Sequence, residues 1–577
     1  MCGILYCKLK SEDYDTQNFK VVFDAALKKM HYRGPDAFKV SVHGSLFFGH
    51  VRLSIVDPKA SSDQPYEDDE HLMIFNGEIY NHKEIDPKSQ SDTRTLFTQM
   101  KNGGNPFSKL RGMFAFGMYN KQTQHIVFYR DFFGEKPLYY YVDKEIEVVS
   151  STLKSILEIL KALNKKPELN KAAINDDFLW FGFIREPKTI WNNIFAVPPG
   201  HQLEFFNDSP QFKPLKFNLA DQNDWTQSTY LANALSSTDV EGALLLSEGI
   251  DSTFLLTKAI ENSFPLKIGI YKANDPKIDE SAKALQNIAK IKANPQHYPV
   301  TVLENNVGVI DIDEYGKILE QPSSDGLQLF NLLKYLRNSH PGLKLVYTGL
   351  GGDELFGGYP TFYNFKKINL LIKLPLVEYF LPALKRFKTG KRIVCEWNYD
   401  TYAFLYRLNY PAFKLLNGTH AQLISSYQSF KQTLAVTPVE INDKAQKISA
   451  YAIKRSETFD YARNQLLRDN DNISMYLGFE SRSPLLNADW YNQNPDKKLK
   501  LKNALISKWG ISFNKKKGFT LDERDAKAYY KNYIIDHQVF LNQILDDLSI
   551  PVLNNLSVNR LRALSVLASW VKHNADN

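Results

Sequence analysis

Cysteine is scarce in this chain: 577 residues hold three, at Cys2, Cys7 and Cys395. No two of them make a CxxC pair or a zinc-ligand spacing, which excludes a disulfide-stapled scaffold and points to a reducing compartment, the cytoplasm. A long apolar run is also missing. The nearest, INLLIKLPLVEYFLPALKRF, is broken by lysines, a glutamate and two prolines, so it fails as a membrane-spanning helix. No signal peptide is expected. Charge of one sign is not in excess either. With 71 basic and 64 acidic residues the formal charge is +7, spread without a basic tract, so neither nucleic acid nor a membrane surface is expected as a partner. Internal repeats and low-complexity segments are lacking as well.

What is present is the balance of a globular protein, 43% hydrophobic and 23% charged, at a length that implies roughly two to four domains. Two rhythms divide it. The first 200 or so residues alternate short β-branched or aromatic runs with Gly, Asn and Asp turns (SLFFGHVRLSIVD, HLMIFNGEIYN, FAFGMYN, HIVFYRD, PLYYYVD, IEVVSS), the spacing of packed antiparallel sheets. Helical periodicity over about 19–30 and 92–101 makes this part a layered α+β domain. A polar stretch to about Ser236 reads as a linker. From EGALLLS onward the order changes to strand (Ala243 to Leu246), polar loop (Ser247 to Asp251), helix (Ser252 to Asn262), strand (Leu266 to Tyr271), helix around 279–290 and strand (Leu343 to Tyr347). Crossovers of that kind build a parallel sheet with ligands at the carboxyl ends of its strands. Beyond about residue 400 the pattern is mainly helical.

The cysteine behind the initiator methionine carries the first chemical signal. Removal of Met1 would leave Cys2 with a thiol and a free α-amine, whose reference pKa of roughly 7.7–8.0 lets it accept the proton of its own side chain. The alternative is a small apolar start to the strand Gly3-Ile4-Leu5-Tyr6. Four further stretches hold polar groups that a sheet sandwich does not need: RGPD (33–36), VRLSIVD (51–57), NGEIYN (76–81) and SDT (91–93). With Cys2 they resemble the class II, N-terminal-nucleophile glutamine amidotransferase domain, and the likeness continues through LRGMFAFGMYN and YRDFFGEKPLYYY.

That resemblance implies that Cys2 attacks the glutamine side-chain amide and that Asn76 with the Gly77 N–H forms the oxyanion hole. It implies that Arg52 pairs with the glutamine α-carboxylate and Asp92 with its α-ammonium, with Glu78 nearby. Taken singly, these are an ordinary arginine, an Asn-Gly turn and a helix-capping aspartate. Tyr32 and Arg94 depart from the family's histidine and glutamate at positions that touch none of these roles.

The second signal is SEGIDS (247–252), a loop between a strand and a helix where backbone N–H groups can cradle phosphate. It resembles the SGGxDS loop of ATP pyrophosphatases. TGLGGDELFGGY (348–359), LLRDNDNISMYLGFESRSPLL (466–486) and KKKGF (515–519) follow in the order of the glutamine-hydrolysing asparagine synthetases, which the chain resembles in both domains. The resemblance implies an ATP site from Leu246, Ser247, Gly249, Asp251, Ser252, Ile268, Thr348, Gly349, Asp353 and Lys516. It implies Mg²⁺ on Asp251 and Asp353, and Lys516 as the cation that neutralises the phosphates. KKKGF alone reads as a solvated basic loop. The domains expected are 1–205 for the glutaminase, 206–236 for the linker and 237–577 for the ATP-pyrophosphatase part. The partners implied are glutamine, ATP and a carboxylate acceptor, with a homodimer left open.

Two residues fall out of pattern inside the second site. Glu248 replaces the first glycine of the loop, and electrostatics direct its carboxylate toward solvent or a lysine. Leu350 replaces a glutamate placed to assist attack of ammonia on adenylated aspartate. Three readings follow: asparagine synthesis, the same chemistry on another carboxylate such as a uronic-acid sugar, or a glutaminase whose second site serves regulation. The segment QPSSDGLQLF (321–330) also departs from the family and receives no assigned contacts.

Overall fold

The computed structural model describes residues 2–11, 14–59, 62–219, 229–273, 275–276, 278–304, 311–362, 364, 399–408, 410–438, 449–492, 497–514, 526–545 and 550–575. Cys395, Lys516 and the apolar stretch 368–387 lie outside the described residues.

The amino-terminal domain contains β1 (Cys2–Leu9), β2 (Ala37–His43), β3 (Leu46–Arg52), β4 (Tyr66–Glu67), β5 (His71–Ile79), β6 (Gly112–Asn120), β7 (His125–Arg130), β8 (Tyr139–Val142), β9 (Ile146–Ser150), β10 (Phe195–Ala196), β11 (His201–Phe206) and β12 (Ser209–Pro214). They form two six-stranded sheets, ordered β10-β8-β9-β1-β3-β2 and β12-β11-β7-β6-β5-β4, with antiparallel neighbours throughout. Because successive side chains leave a strand on opposite faces, β1 serves two cores at once. Ile4 and Tyr6 join Phe48, Ile74 and Phe128 between the sheets. Leu5, Cys7 and Leu9 face the opposite way, in the core that holds Phe19, Phe23 and Ile156 of helices Thr16–Lys28 and Leu153–Ala162. Helix Asp92–Lys101 covers the outside of the second sheet through Leu96 and Phe97. The domain is therefore four layers, helix, sheet, sheet, helix.

The expected linker is partly regular structure. Asn207 and Asp208, at φ 46° and 61°, make the left-handed two-residue turn that suits a hairpin, and β12 pairs with β11 from Ser209 to Pro214. Helix Thr229–Ser236 buries Tyr230, Leu231, Ala234 and Leu235. The polar composition of β12 reflects its place as an exposed edge strand.

In the carboxyl-terminal domain β13 (Gly242–Leu246), β14 (Lys267–Lys272), β15 (Val300–Glu304), β16 (Leu345–Tyr347) and β17 (Glu480–Arg482) pair in parallel, in the order β15-β14-β13-β16-β17. The chain leaves β13 toward β14 on one side and meets β16 on the other, so a topological switch point lies between β13 and β16, where such sheets bind ligands. A wide-turned helix, Glu457–Leu467, continues into helix Arg468–Tyr476 and carries a buried polar face. Asp471 accepts both Nη atoms of Arg33, at 2.9 and 3.2 Å, and Nζ of Lys136 at 3.3 Å; Asp460 accepts Nε of Arg185 at 2.6 Å. These buried pairs join the two domains. Among the described residues no helix is long and apolar enough to cross a membrane.

Candidate active sites

β1 begins opposite the end of β3, which sets Cys2 beside Arg52 in register. Across the sandwich, the main-chain nitrogen of Cys2 donates to Asn76 Oδ1 on β5 at 3.1 Å, and its carbonyl accepts Arg33 Nε at 3.0 Å. Burial pushes the Cys2 thiol up, while the Leu53 N–H and the Arg52 guanidinium pull the other way. Asn76 is wholly buried, and its Nδ2 has no hydrogen-bond partner. A buried amide donor left open beside a thiol is the arrangement needed for an oxyanion that forms only during reaction. Gly77 has φ 153°, and a Cβ there would lie 2.1 Å from the Met113 carbonyl oxygen, so no side chain fits.

Asp92 is buried at the start of its helix. Its two oxygens accept the N–H groups of Ile79 (3.1 Å) and Thr93 (2.8 Å), whereas the helix cap itself is Ser91. Burial raises Asp92, and burial with the nearby Glu480 and Asp92 charges holds Glu78 well above the usual carboxylate range. Arg52 has acceptors of its own: Asp63 Oδ1 at 2.6 Å and the carbonyls of Lys59 (2.8 Å), Val56 (3.4 Å) and Asp57. A substrate carboxylate would compete there with Asp63.

Tyr32 reaches into the second domain, donating to Glu320 Oε1 at 3.1 Å, and Glu320 Oε2 accepts the N–H groups of Leu153 and Lys154 at 2.7 and 3.1 Å. The 321–330 segment is likewise structural. Gln321 accepts the Ile190 N–H at 2.8 Å, Ser323 bonds Asp469, and Asp325 accepts Tyr461 Oη at 3.2 Å.

At the switch point, Ser247 and Ser252 shape the loop after β13: Gly249 N–H donates to Ser247 Oγ at 3.0 Å and Ser247 N–H to Ser252 Oγ at 3.2 Å. Helix Ile250–Glu261 starts there, with Asp251 in its first turn. The loop after β16 interlocks with it, since a Cβ on Gly352 would lie 2.3 Å from Asp251 Oδ1. Thr348 donates its N–H to the Arg482 carbonyl at 3.0 Å, while Leu350 packs its side chain against the core. Leu246 ends β13, whereas Ile268 pairs with Leu244 two residues below and is fully buried, so its side chain belongs to the core and not to the strand's carboxyl edge.

Lys498, on helix Lys497–Trp509, places its Nζ 2.6 Å from Asp251 Oδ2 and in contact with Asp353 Oδ1. Asp251 Oδ1 is buried without a partner. Two carboxylates sharing one cation, one of them with an oxygen to spare, fit a Mg²⁺ completed by substrate phosphates. Among the described residues no cluster of three or more His, Cys, Asp or Glu could hold a metal by itself.

Glu248 does not turn to solvent or to a described lysine. It is buried; Oε2 accepts Asn514 Nδ2 at 2.9 Å, and Oε1 has no hydrogen-bond partner. The neighbouring Ser512 is fixed to Lys283 and Asn287, with Lys283 Nζ donating to Ser512 Oγ at 2.6 Å, and that brings the Asn514 amide over the loop.

Comparison with known proteins gives two domain matches: the glutamine amidotransferase domain over residues 1–215 and asparagine synthase over residues 230–491. A protein of Methanocaldococcus jannaschii assigned as a glutamine-hydrolyzing asparagine synthetase (number 2) is 30% identical over 389 residues, 60% of this chain and 74% of that protein. The chain belongs to the glutamine-hydrolyzing asparagine synthetase family. Asparagine synthetase (glutamine-hydrolyzing) 1 of Bacillus subtilis is 27% identical over 87% of this chain and 82% of its own length. Amidase chry2 of Gibberella zeae is 28% identical over 59% of this chain and 55% of that protein.

For a member of this family, the residues that reading the sequence missed are Lys498, Glu480 and Arg482. KKLKLKNALISKW presents so many lysines that none stands out, and ESR on β17 has no strand pattern.

Proposed function

We propose that the chain is a carbon–nitrogen ligase that adenylates a carboxylate in its carboxyl-terminal domain and amidates it with ammonia released from glutamine in its amino-terminal domain. The division of labour follows residues 1–205 and 237–577, and the products are an amide, glutamate, AMP and pyrophosphate. The observation that carries this reading is the open, buried Nδ2 of Asn76 beside Cys2, in the same chain as the Asp251–Lys498–Asp353 cluster.

After loss of Met1, the Cys2 α-amine takes the thiol proton as Sγ attacks the glutamine amide carbon. Asn76 Nδ2 and the Gly77 N–H hold the oxyanion, and its collapse expels ammonia and leaves a thioester that water hydrolyses to glutamate. Asp92 and Glu78 hold the α-ammonium, and Arg52, once Asp63 yields, the α-carboxylate. In the second domain Ser247, Gly249 and Ser252 seat the phosphates at a helix N-terminus, and Lys516 and Lys498 offset their charge. Mg²⁺ on Asp251 and Asp353 would supply further charge neutralisation as pyrophosphate departs.

Aspartate is the acceptor that family membership suggests. A second reading rests on Leu350: its packed, aliphatic side chain offers no proton acceptor for ammonia attacking an acyl-adenylate, which favours a different carboxylate. The test supplies glutamine, ATP and Mg²⁺ with aspartate or other carboxylic acids and follows pyrophosphate and amide. If Leu350 excludes aspartate, asparagine forms slowly and another acid drives pyrophosphate release. Asparagine turnover on the order of 1 s⁻¹, an ordinary enzyme rate, would defeat that second reading and leave aspartate as the acceptor. Release of neither product with any acid would defeat the ligase assignment.

A further inference from the structure

One residue touches both sites. Arg482, on the edge strand β17, is completely buried. Its carbonyl accepts the Thr348 N–H at 3.0 Å, the first hydrogen bond of the nucleotide loop. Its Nη2 lies 3.5 Å from Glu78 Oε2 in the glutamine site. Neither of those two side-chain atoms has a hydrogen-bond partner. The rest of the guanidinium is fixed: Nε donates to Glu480 Oε1 at 2.6 Å, and Nη1 to the carbonyls of Ser237 (2.9 Å) and Ala234 (3.3 Å). The Tyr80 ring packs against it at 5.2 Å.

Buried carboxylates crowd this arginine. Glu78, Asp92 and Glu480 are three buried carboxylates; Glu78 sees both of the others, and the Arg482 guanidinium lies 3.5 Å from it. The α-ammonium of a bound glutamine would bring a second cation to Glu78, and the loose 3.5 Å pair with Arg482 must then adjust, by tightening or by release. Nε is tied to Glu480 of the same strand at 2.6 Å, so a displaced guanidinium pulls on β17, whose backbone holds the amide of Thr348.

We propose that Arg482 is a positioning residue that couples glutamine occupancy in the first domain to nucleotide affinity in the second, through its side chain on Glu78 and its backbone on Thr348. This rests on the two sites proposed above. Coupling of this kind is reciprocal, so ATP tightens or loosens glutamine by the factor with which glutamine changes ATP.

The experiment uses the full chain with Cys2→Ala, which leaves glutamine intact, and measures Mg·ATP binding by titration calorimetry with and without saturating glutamine. The expected shift in Kd is about fivefold or more, the lower end of inter-site coupling. Adding Arg482→Lys, which keeps the charge and loses the fork, brings the factor close to one while the Kd for ATP alone stays within about twofold. Glu480→Gln, which loosens Nε, does the same in a chain that retains the arginine, and serves if Arg482→Lys does not fold. A folded variant with the full shift overturns the proposal, and so does an unvaried Arg482 chain in which glutamine leaves ATP binding unchanged. Failure to bind ATP or glutamine at all would instead overturn the function proposed for the sites, and the coupling with it.

Discussion

Asn76 holds the Cys2 nitrogen with its oxygen and leaves its amide donor open, so in the function proposed above one residue both places the nucleophile and awaits the oxyanion. Asn76→Ala is expected to lower glutaminase kcat by about 10²- to 10³-fold, the usual cost of one oxyanion donor, with KM for glutamine little changed. Cys2→Ala should abolish glutamine use and spare synthesis from added ammonia. Steady-state assays with each nitrogen source check both. Glu248 makes the opposite case at the second site, because a buried carboxylate with an unpaired oxygen repels an incoming triphosphate. Glu248→Gly should lower KM for ATP in pyrophosphate exchange; an unchanged KM would show that the native carboxylate is already compensated when nucleotide binds.

Among the elements, the two loops at the switch point fit each other so closely that backbone, not side chains, sets their spacing. A methyl group on Gly352 would displace Asp251, and Gly352→Ala is expected to weaken ATP binding more than tenfold, or about 1.4 kcal/mol, leaving glutaminase activity within a few fold. Gly342→Ala, where a Cβ meets nothing within 4 Å, should change neither and is the control. Most of these elements could be read from the sequence. The alternation in HLMIFNGEIYN became β5 and ALLL became β13 because burial on one face or both writes itself into periodicity. Two kinds of element could not. β17 is three buried residues, Glu480, Ser481 and Arg482, placed by pairing to β16 and carrying no apolar signal. The helix Glu457–Tyr476 lies in the stretch read as helical, but nothing in its polar sequence tells that Asp460 and Asp471 are buried against Arg185 and Arg33 of the other domain. The orientation of Glu248 escapes the sequence for a related reason. Its partner, Asn514, comes from 266 residues downstream, and no local rule anticipates it.

For the molecule as a whole, the two domains meet through charge. Arg33 and Lys136 from one converge on Asp471 from the other, with all three side chains at most 3% exposed. Removing one member of a buried pair strands the others, so Asp471→Asn should cost on the order of 3–5 kcal/mol. Chemical denaturation followed by tryptophan fluorescence should then show an earlier midpoint, and a single transition that splits in two would mark the domains coming apart. A loss of unfolding free energy below about 1 kcal/mol would mean that apolar packing, not this triad, holds the seam.

The placement of Arg482 also has a consequence in time. During synthesis the amino-terminal domain emerges and folds first, yet the guanidinium beside Glu78 is added only after 404 further residues. Until then Glu78 and Asp92 face each other without it. A nascent or truncated chain would therefore carry the carboxylates of the proposed glutamine site without the guanidinium proposed to link them to the nucleotide loop, and any glutamine it took up would be handled without reference to ATP.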